Sequence, residues 1–269
     1  MLERMIDIHN HLIPQFDDGP KSFDESLEML RQAEDQGITD VFATSHFNEY
    51  IPQETEDEYF QKLNTLREEA LARGIKVNIY SGAEIFYHHY VDNTVRSHRV
   101  TTLGGWGQYV LLEFPMFQIT EGVEEVLFRL SVDGYIPVVA HPERYNSVIT
   151  EPESALEFIR FGGLLQINAG SVLGHFGKNV QKIAMNLLEQ QVVHFIASDA
   201  HSPEGRTFVL KETLEVLKDH LPESYLKKLF YENPRCIIDE VAIETVRLPA
   251  GESKKSGLLG KLKQRFGLG

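Results

Sequence analysis

The stretch from Ile6 to Asp18 carries two histidines and a pair of carboxylates at a spacing suited to metal chemistry. Its apolar and polar residues alternate at first, and this period of two predicts a short β-strand. Alternate residues of a strand point to the same side, so His9 and His11 would aim two imidazoles at one point. With Asp17 and Asp18 following, the pattern favours a cation bound by mixed nitrogen and oxygen ligands. For the two histidines by themselves, polar side chains at a strand end are an equally good interpretation.

The composition of the chain limits the classes of protein to which it can belong. It has 269 residues, 42% of them hydrophobic, with a single cysteine and a formal charge of −14. This length permits one large core, and β/α barrels of roughly 200 to 250 residues commonly form one domain. One cysteine excludes an internal disulfide framework and fits a reducing compartment. The negative charge argues against a nucleic-acid binder. No apolar run reaches the ~20 residues of a membrane span, and no secretory signal is predicted, so we expect a cytoplasmic protein.

Strand-like apolar runs alternate with amphipathic stretches along the chain. The predicted strands are Met5–His9, Val41–Thr44, Val77–Tyr80, Tyr109–Leu112, Ile136–Ala140, Leu164–Ile167 and Phe195–Ala197. The predicted helices are Ser22–Gln36, Thr55–Arg73, Glu121–Val132, Ser154–Phe161, Asn179–Gln190 and Thr207–His220. Strands that alternate with helices imply parallel β-α units. Seven such units predict an α/β fold with a closed or nearly closed barrel.

Metal-ligand residue types follow six of these seven strands. They are His9 and His11, His46, Glu84, Glu113, His141, and Asp199 with His201. The carboxyl ends of the strands in a β/α barrel form one face, where catalytic groups collect. Strand six ends in Gln166-Ile167-Asn168-Ala169-Gly170, which offers no strong ligand, and we expect it to line the pocket.

These motifs, taken together and in order, resemble the polymerase and histidinol phosphatase (PHP) superfamily. They read D-x-H-x-H, T-x-H, G-A-E, L-x-E-F-P, A-H-P-E-R-Y and A-S-D-A-H, and the similarity spans about Met5 to Glu240. The resemblance is strongest to the superfamily's bacterial branch of manganese-dependent tyrosine-protein phosphatases, found with capsule and exopolysaccharide genes. It implies a distorted seven-stranded β/α barrel, TIM-like in form, that holds three divalent metal ions.

The resemblance also assigns roles to residues of this chain. His9, His11, Glu84 and Asp199 match the first metal site; Glu84, Glu113 and His141 match the second, with Glu84 bridging; Asp18, His46 and His201 match the third. Arg144 and Arg206 match the arginines that hold the phosphate. Histidine and carboxylate ligands without thiolates suit manganese, iron or zinc, and the resemblance favours manganese.

The implied reaction is the hydrolysis of a phosphotyrosine ester without a covalent phosphoenzyme. Metal ions lower the pKa of bound water, so that a metal-bound hydroxide is available as the nucleophile near neutral pH. Guanidinium groups match the geometry of phosphate and keep their charge. The expected partner is a phosphotyrosine protein, the tail of a bacterial tyrosine kinase that regulates capsule synthesis.

Several residues near the motifs admit two interpretations. Asp7 would either orient a metal ligand or cap the strand end, and Asp17 would either support a ligand or shape a turn. Five aromatic residues lie in loops of the expected active face, where they would stack on a substrate ring or pack in the core: Phe47, Tyr50, Tyr87, Tyr145 and Phe176. Six further histidines match no motif and are expected at the surface or in structural roles: His88, His89, His98, His175, His194 and His220.

Other functions remain as alternatives at this point. A small-molecule phosphatase of the same superfamily, of the histidinol phosphatase type, is the nearest one. Amidohydrolase barrels also begin with His-x-His but often bridge their metals with a modified lysine, and no lysine follows the middle strands here. A non-catalytic binding module would lack a ligand or an arginine, and none is missing. A cysteine-dependent phosphatase is excluded because the sixth residue after Cys236 is Ala242, where an arginine is required.

The chain is predicted to form one phosphatase domain over residues 1–250, followed by a tail over residues 251–269. The tail has five basic residues against the single acidic Glu252, a net charge of +4. Leu258, Leu259, Leu262 and Phe266 follow helical spacing. Such a basic amphipathic segment would either lie on a partner or on the inner face of an anionic membrane, or act as a frayed, solubilising end.

Overall fold

Seven parallel strands form the centre of the molecule in the computed structural model, which describes residues 4–105, 107–117 and 122–243. The strands are β1 Met5–Asn10, β2 Ile38–Phe47, β3 Asn78–Phe86, β4 Tyr109–Glu113, β5 Ile136–Ala140, β6 Leu164–Asn168 and β7 Phe195–Ala197. They lie side by side in the order of the chain. A bridge between Asn10 and Ala200 joins the two edges, which makes the sheet a nearly closed barrel. This confirms the predicted fold class.

Helices connect the strands, as expected for parallel β-α units. The α-helices are α1 Phe23–Asp35, α2 Gln53–Ala72, α3 Val91–Ser97, α4 Val123–Val132, α5 Asn146–Thr150, α6 Ala155–Arg160, α7 Ala169–Val172, α8 Lys178–Glu189, α9 Leu210–Leu217, α10 Glu223–Lys227 and α11 Asn233–Ile238. Short 3₁₀ segments occupy Arg99–Thr101, Pro142–Arg144 and Pro152–Ser154, and one π-helical turn spans Lys228–Glu232. All six predicted helices are present, within a few residues of their predicted bounds.

The start and the end of α1 show how the sequence sets these bounds. The hydroxyl of Ser22 accepts the backbone N–H of Glu25 at 3.2 Å, the N-terminal cap that the spacing of the two residues predicts. Gly37 follows the helix with a φ of 82°, a conformation that glycine adopts at low cost. Because the helix ends at this turn, β2 begins at the next residue, Ile38.

Two hydrophobic clusters hold the barrel together. The smaller one contains alternate residues of the strands, among them Ile8, Leu111, Ala140 and Ala197, and fills the inside of the barrel. The larger one lies between the outer faces of the strands and the helices. Burial of strands on both sides explains their nearly continuous apolar sequences.

The tail predicted for residues 251–269, and the end of the predicted domain at residue 250, lie outside the described residues. Within the described ranges, no helix combines the length and apolar character that crossing a bilayer requires.

Candidate metal centre

Glu84 occupies the middle of a histidine cluster at the carboxyl ends of the strands. Its carboxylate is 1% exposed and lies 3.1 Å from His9 Nε2, 3.3 Å from His11 Nε2, 3.2 Å from His46 Nδ1 and 3.0 Å from His141 Nε2. His9 lies in β1 and His11 just after it, His46 lies in β2, and His141 lies in the turn after β5. Four imidazoles around one buried carboxylate form an arrangement that can hold more than one cation.

β1 changes register near its end, where His9 and His11 face this cluster. The pairing of β1 with β2 shifts between Asp7 and Asn10. Such an irregularity changes the side to which the following side chains point. Ile6 and Ile8, which alternate along the strand before its end, belong to the hydrophobic cluster inside the barrel.

Asp7 does not share the direction of the two histidines. Its carboxylate accepts the backbone N–H of Ser198 at 2.8 Å, the hydroxyl of Ser198 at 2.6 Å and the amide of Asn10 at 3.0 Å. Asp7 thereby ties the end of β1 to the residue that precedes Asp199. Of its two interpretations, the structural one agrees with these contacts.

Three groups of potential ligands can be distinguished by the distances between their donor atoms. Within each group all donor atoms lie within 4.8 Å of one another, and the groups are His9, His11, Glu84 and Asp199; His46, Glu84 and Glu113; and His11, Asp18, His46 and His201. The first group is the first set implied by the resemblance. The third group contains the whole third set with His11 added.

The second group differs from the set implied by the resemblance, because it contains His46 in place of His141. His141 nevertheless lies close to both carboxylates, with Nε2 at 3.0 Å from Glu84 and 3.8 Å from Glu113. His46 Nδ1 lies 3.9 Å from Glu113. Either imidazole can therefore complete a site with these two glutamates.

The donor atoms of this cluster suit a divalent cation. The Nε2 atoms of His9 and His11 are buried, and among the described residues neither has a hydrogen-bond partner. Each instead faces the buried Glu84 carboxylate. Buried polar atoms normally have a partner, and neutral imidazoles with carboxylates are ligands for manganese, iron and zinc.

Two of the candidate ligands adopt a left-handed backbone conformation. His141 has a φ of 33° and Asp199 a φ of 54°. Non-glycine residues seldom adopt positive φ, and the surrounding structure must compensate for its cost. Asp199 is held by its own N–H, which donates to the carbonyl of His9 at 2.8 Å. The turns after β5 and β7 thus direct both side chains into the cluster.

Arg144 and Arg206 meet at one oxygen of Asp199. Arg144 donates from a terminal nitrogen to Oδ2 at 3.1 Å, and Arg206 does so at 2.5 Å. The Arg144 guanidinium lies 4.7 Å from the centre of the Phe176 ring. The Nε of Arg206 is buried and has no hydrogen-bond partner in the described part of the chain. Two guanidinium groups beside the cluster, with donors to spare, can bind an anion.

The histidines and carboxylates shift each other's pKa values. Burial lowers the pKa of His9 and of His11, but neighbouring carboxylates outweigh it and raise them to about 9 and about 10. Burial opposes ionisation of Glu84, yet the surrounding histidines hold the pKa of that carboxyl well below its usual range. Burial and the nearby Glu84 raise the pKa of Glu113 to about 7. Without a cation, protons on the imidazoles therefore balance the carboxylate charge.

The contacts of Asp17 agree with both of its interpretations, support of a ligand and shaping of a turn. Its Oδ2 lies 2.8 Å from Nδ1 of His11 and accepts the backbone N–H of His46 at 3.0 Å, and its Oδ1 accepts the N–H of Gly19 at 2.9 Å. Burial opposes its ionisation, but His11 outweighs this and lowers the pKa of Asp17 to about 2. Asp17 thus shapes the turn and holds a histidine of the cluster. Asp18, in contrast, is 61% exposed and lies 3.3 Å from His201 Nε2 and 3.6 Å from His46 Nε2.

Three buried polar residues lie behind the cluster, and two of them, Gln166 and Asn168, belong to the strand end that was expected to line the pocket. Gln166 and Asn168 on β6 are fully buried and contact His9 and Asp199. Glu143 is also buried and accepts the backbone N–H of Asn168. The signal that identifies the first two is their separation by two in an apolar strand, which places both on the interior side.

The loop aromatics divide between the core and the surface. Phe47, Tyr87 and Tyr145 are buried, Phe176 packs beneath Arg144, and Tyr50 is 82% exposed. Among the unassigned histidines, His194 is buried as a structural residue, with Nδ1 accepting the N–H of Leu165 at 3.1 Å.

Comparison with known proteins was made by family model, by sequence and by structure. Residues 5–239 match the model of a family described as capsular polysaccharide synthesis, CpsB/CapC. The putative tyrosine-protein phosphatase CapC of Staphylococcus aureus is 36% identical over 238 residues, which cover 86% of this chain and 92% of the relative. The tyrosine-protein phosphatase YwqE of Bacillus subtilis is 32% identical over 256 residues, 95% of this chain and 99% of the relative.

A solved structure agrees with these sequence matches. It comes from a study of YwqE from Bacillus subtilis and CpsB from Streptococcus pneumoniae, described there as unique metal-dependent tyrosine phosphatases. It superposes with a TM-score of 0.84 at 30% identity and covers 91% of this chain and 100% of the other. The likeness therefore includes the whole barrel.

Proposed function

The chain belongs to the capsular polysaccharide synthesis family CpsB/CapC, and from this membership and its site we propose that it is a metal-dependent protein-tyrosine phosphatase. The relatives CapC and YwqE carry that activity in their names. The observation that carries the proposal is the convergence of four imidazoles within 3.3 Å of the buried Glu84 carboxylate. Two arginines meet beside this cluster, where a phosphate would be bound.

We propose that three divalent cations, with manganese as the favoured ion, occupy the cluster. The ligands would be His9, His11, Glu84 and Asp199; Glu84, Glu113 and His141; and Asp18, His46 and His201. All three groups offer only nitrogen and oxygen donors, which suit manganese, with iron and zinc as alternatives. Glu84 belongs to two of the sets, and four imidazoles lie within 3.3 Å of its carboxylate. When bound, such cations polarise phosphoryl oxygens and lower the pKa of water, which supplies a nucleophile at neutral pH.

The residues of the chain would position the substrate for this chemistry. Arg144 and Arg206 each donate one guanidinium nitrogen to Asp199 Oδ2, which leaves other N–H donors for the phosphoryl oxygens. Guanidinium forks match the geometry of phosphate, and charge on these oxygens grows or redistributes in the transition state. A tyrosine phenolate has a pKa of about 10 and leaves with little assistance from an acid. Direct hydrolysis therefore needs no protein nucleophile.

The protein partner is inferred from the family's link to capsule synthesis. We propose that the substrate is a phosphotyrosine segment, the tail of a bacterial tyrosine kinase that regulates the capsule or exopolysaccharide, and that the protein acts in the cytoplasm at the inner face of the membrane. The single cysteine and the net charge of −14 agree with a cytoplasmic protein that does not bind nucleic acid.

Phosphate release by chelator-stripped protein tests the proposal. Manganese would be added back with a phosphotyrosine peptide, a phosphoserine peptide or histidinol phosphate as substrate. We expect turnover of the phosphotyrosine peptide that depends on added manganese. Asp18→Asn should lose most of it, because this exposed side chain can change without disturbing the core, whereas Asp35→Asn on the surface should retain it.

The outcomes separate the chemistry from the substrate. Turnover of histidinol phosphate alone would keep the metal centre but replace the proposed substrate with a small molecule. Absence of turnover on every phosphoester, despite bound manganese, would refute a phosphatase.

A further inference from the structure

A continuous chain of three hydrogen bonds connects His9 to Asp199 through two buried amides of β6. Nδ1 of His9 lies 2.9 Å from Oε1 of Gln166, Nε2 of Gln166 donates to Oδ1 of Asn168 at 2.9 Å, and Nδ2 of Asn168 donates to Oδ2 of Asp199 at 2.7 Å. All four side chains are at most 2% exposed. The two amides thus join two candidate ligands of the same cation set.

The direction of this chain follows from its carboxylate end. An ionised carboxylate only accepts hydrogen bonds, so Asn168 must present its NH₂ group to Asp199. The side-chain oxygen of Asn168 then faces Gln166, so Gln166 must donate to it from its own NH₂ group. The oxygen of Gln166 is left for His9, and an oxygen there requires a proton on Nδ1 of the imidazole. The remaining nitrogen, Nε2, then faces Glu84 and is the atom that a cation can use once it carries no proton.

The same contacts select one oxygen of Asp199. Its Oδ2 accepts from Asn168, Arg144 and Arg206. Its Oδ1 faces Nε2 of His9 at 3.5 Å and Nε2 of His11 at 3.6 Å. An oxygen with three donors has no capacity left for a cation, so Oδ1 is the oxygen that the cluster can use.

We propose that Gln166 and Asn168 are positioning residues that fix the ligand atom of His9 and the ligand oxygen of Asp199 before a cation binds. Together with these two residues they form what we call the β6 relay: His9, Gln166, Asn168 and Asp199. The proposal rests on the metal centre of the proposed function but is independent of the substrate.

The backbone around the relay is itself held in place. Gln166 pairs with Ala140 on one side and with Phe195 on the other, and Asn168 pairs with Ala197. Glu143 accepts the N–H of Asn168 at 2.9 Å. The strand therefore holds both amides at fixed positions, so that little freedom is lost when they orient the ligands.

Substitutions at Gln166 separate the two functions of its amide. Gln166→Met keeps the approximate shape but offers His9 no acceptor, whereas Gln166→Glu keeps an acceptor oxygen. We expect Gln166→Met to weaken binding of Zn²⁺ or Mn²⁺ about 10- to 100-fold, the usual effect of losing a partner behind a ligand. Gln166→Glu loses only the donor to Asn168, so we expect it to weaken binding less than Gln166→Met does. Gln36→Met is the matched control, since the Gln36 amide donates to the Phe208 carbonyl away from the relay.

Asn168→Asp tests the other end of the relay. It replaces the donor with a carboxylate beside Asp199, and we expect it to weaken cation binding as well. Because both residues act through one relay, the effects of Gln166→Met and Asn168→Asp on affinity should be less than additive in the double variant. Fully additive effects would contradict a connected relay.

The deciding experiment needs no variant that alters the fold. In Zn²⁺-loaded protein labelled with ¹⁵N at histidine, NMR should show a proton on Nδ1 of His9 that exchanges slowly with water. Titration calorimetry on the same protein gives the cation affinity, and neither readout depends on phosphatase activity. In Gln166→Met the proton should exchange faster and the affinity should fall.

Each alternative result has a clear meaning. A His9 that is protonated on Nε2, or a Gln166→Met variant with unchanged affinity and exchange, would overturn the relay and leave the proposed phosphatase untouched. Failure of the original protein to bind any divalent cation would overturn both proposals.

Discussion

Oδ2 of Asp17 lies 2.8 Å from Nδ1 of His11, and the same oxygen accepts the backbone N–H of His46 at 3.0 Å. One carboxylate thus holds an imidazole and the strand that carries another imidazole of the cluster. Asp17 precedes the candidate ligand Asp18. Asp17 holds His11 and the backbone of His46, whereas Asp18 lies near the imidazoles of His46 and His201.

Replacement of Asp17 by Asn should weaken cation binding without unfolding the protein. The amide has one acceptor oxygen in place of two, so it cannot serve His11, His46 and Gly19 together. We expect a loss of about 10- to 100-fold in affinity, measured by titration calorimetry. Asp35→Asn, an exposed change of the same kind, is the control. Equal affinities in both variants would show that Asp17 shapes only the turn.

Arg144 should depend on Phe176 for its orientation. Its guanidinium lies 4.7 Å from the centre of that ring, a cation–π arrangement worth about 0.5–2 kcal/mol. We expect Arg144→Lys, which keeps the charge and loses the fork, to lower kcat/KM roughly 10- to 100-fold. Phe176→Leu should lower it a few-fold, in steady-state assays with a phosphotyrosine peptide. An Arg144→Lys enzyme of normal kcat/KM would show that Arg144 does not hold the phosphate.

The exposed aromatic residues around the site should contact the peptide that flanks a phosphotyrosine. Tyr50, Tyr90 and Phe117 are 82%, 63% and 89% exposed and follow β2, β3 and β4, on the same face as the cluster. Partial burial of one such ring is worth on the order of 1 kcal/mol, about fivefold in affinity.

Tyr50→Ser should therefore raise KM for a phosphotyrosine peptide several-fold and leave hydrolysis of a small aryl phosphate unchanged. Leu71→Ser, at an exposed position at the end of α2, is the control. A parallel loss on both substrates would mean that Tyr50 acts on the phosphate site rather than on the peptide.

His194 should make the protein less stable in mild acid. Burial lowers the pKa of His194 from the usual value of about 6.5 to about 4, so between these pH values the unfolded chain binds a proton and the folded chain does not. Its contribution to stability is complete above about pH 6.5 and declines as the pH falls towards 4, by about 3 kcal/mol in total.

Urea unfolding of metal-free protein at several pH values measures this effect. His194→Asn cannot titrate but keeps an acceptor for the N–H of Leu165, so the free energy of unfolding should fall less steeply with acidification. The same substitution at exposed His220 is the control. Identical pH dependence in the His194 variant and the original protein would refute the assignment.

The strand pattern was readable from the sequence because strands buried on both sides are apolar almost throughout. Ile136–Ala140 and Phe195–Ala197 have their predicted bounds. β2 and β3 extend further than predicted, so that His46 and Glu84 lie within strands rather than after them. The predicted strands stop before the polar residues His46 and Glu84. These two residues continue the alternating pattern of the strands instead, and their side chains face the cluster.

The parts of the site that the sequence left open depend on tertiary contacts. The direction of Asp7 could not be derived because the register shift in β1 has no local sequence signal. The amides on β6 have no ligand chemistry of their own, and their importance depends on His9 and Asp199 beyond them. The candidate metal ligands were accessible through their residue types and their order along the chain.

The contact between the ends of β1 and β7 has a consequence for the synthesis and folding of this protein. Asp199 donates its N–H to the carbonyl of His9, and His11 donates its own to Ala200, so the first and last strands meet beside the cluster. Chains emerge from the ribosome with the N-terminus first, and contacts between distant segments form late. His9, His11 and His46 are therefore synthesised long before Asp199 and His201 can join them. A nascent or truncated chain without β7 lacks residues of two of the three proposed cation sets, so those two sets can be completed only after β7 has been synthesised.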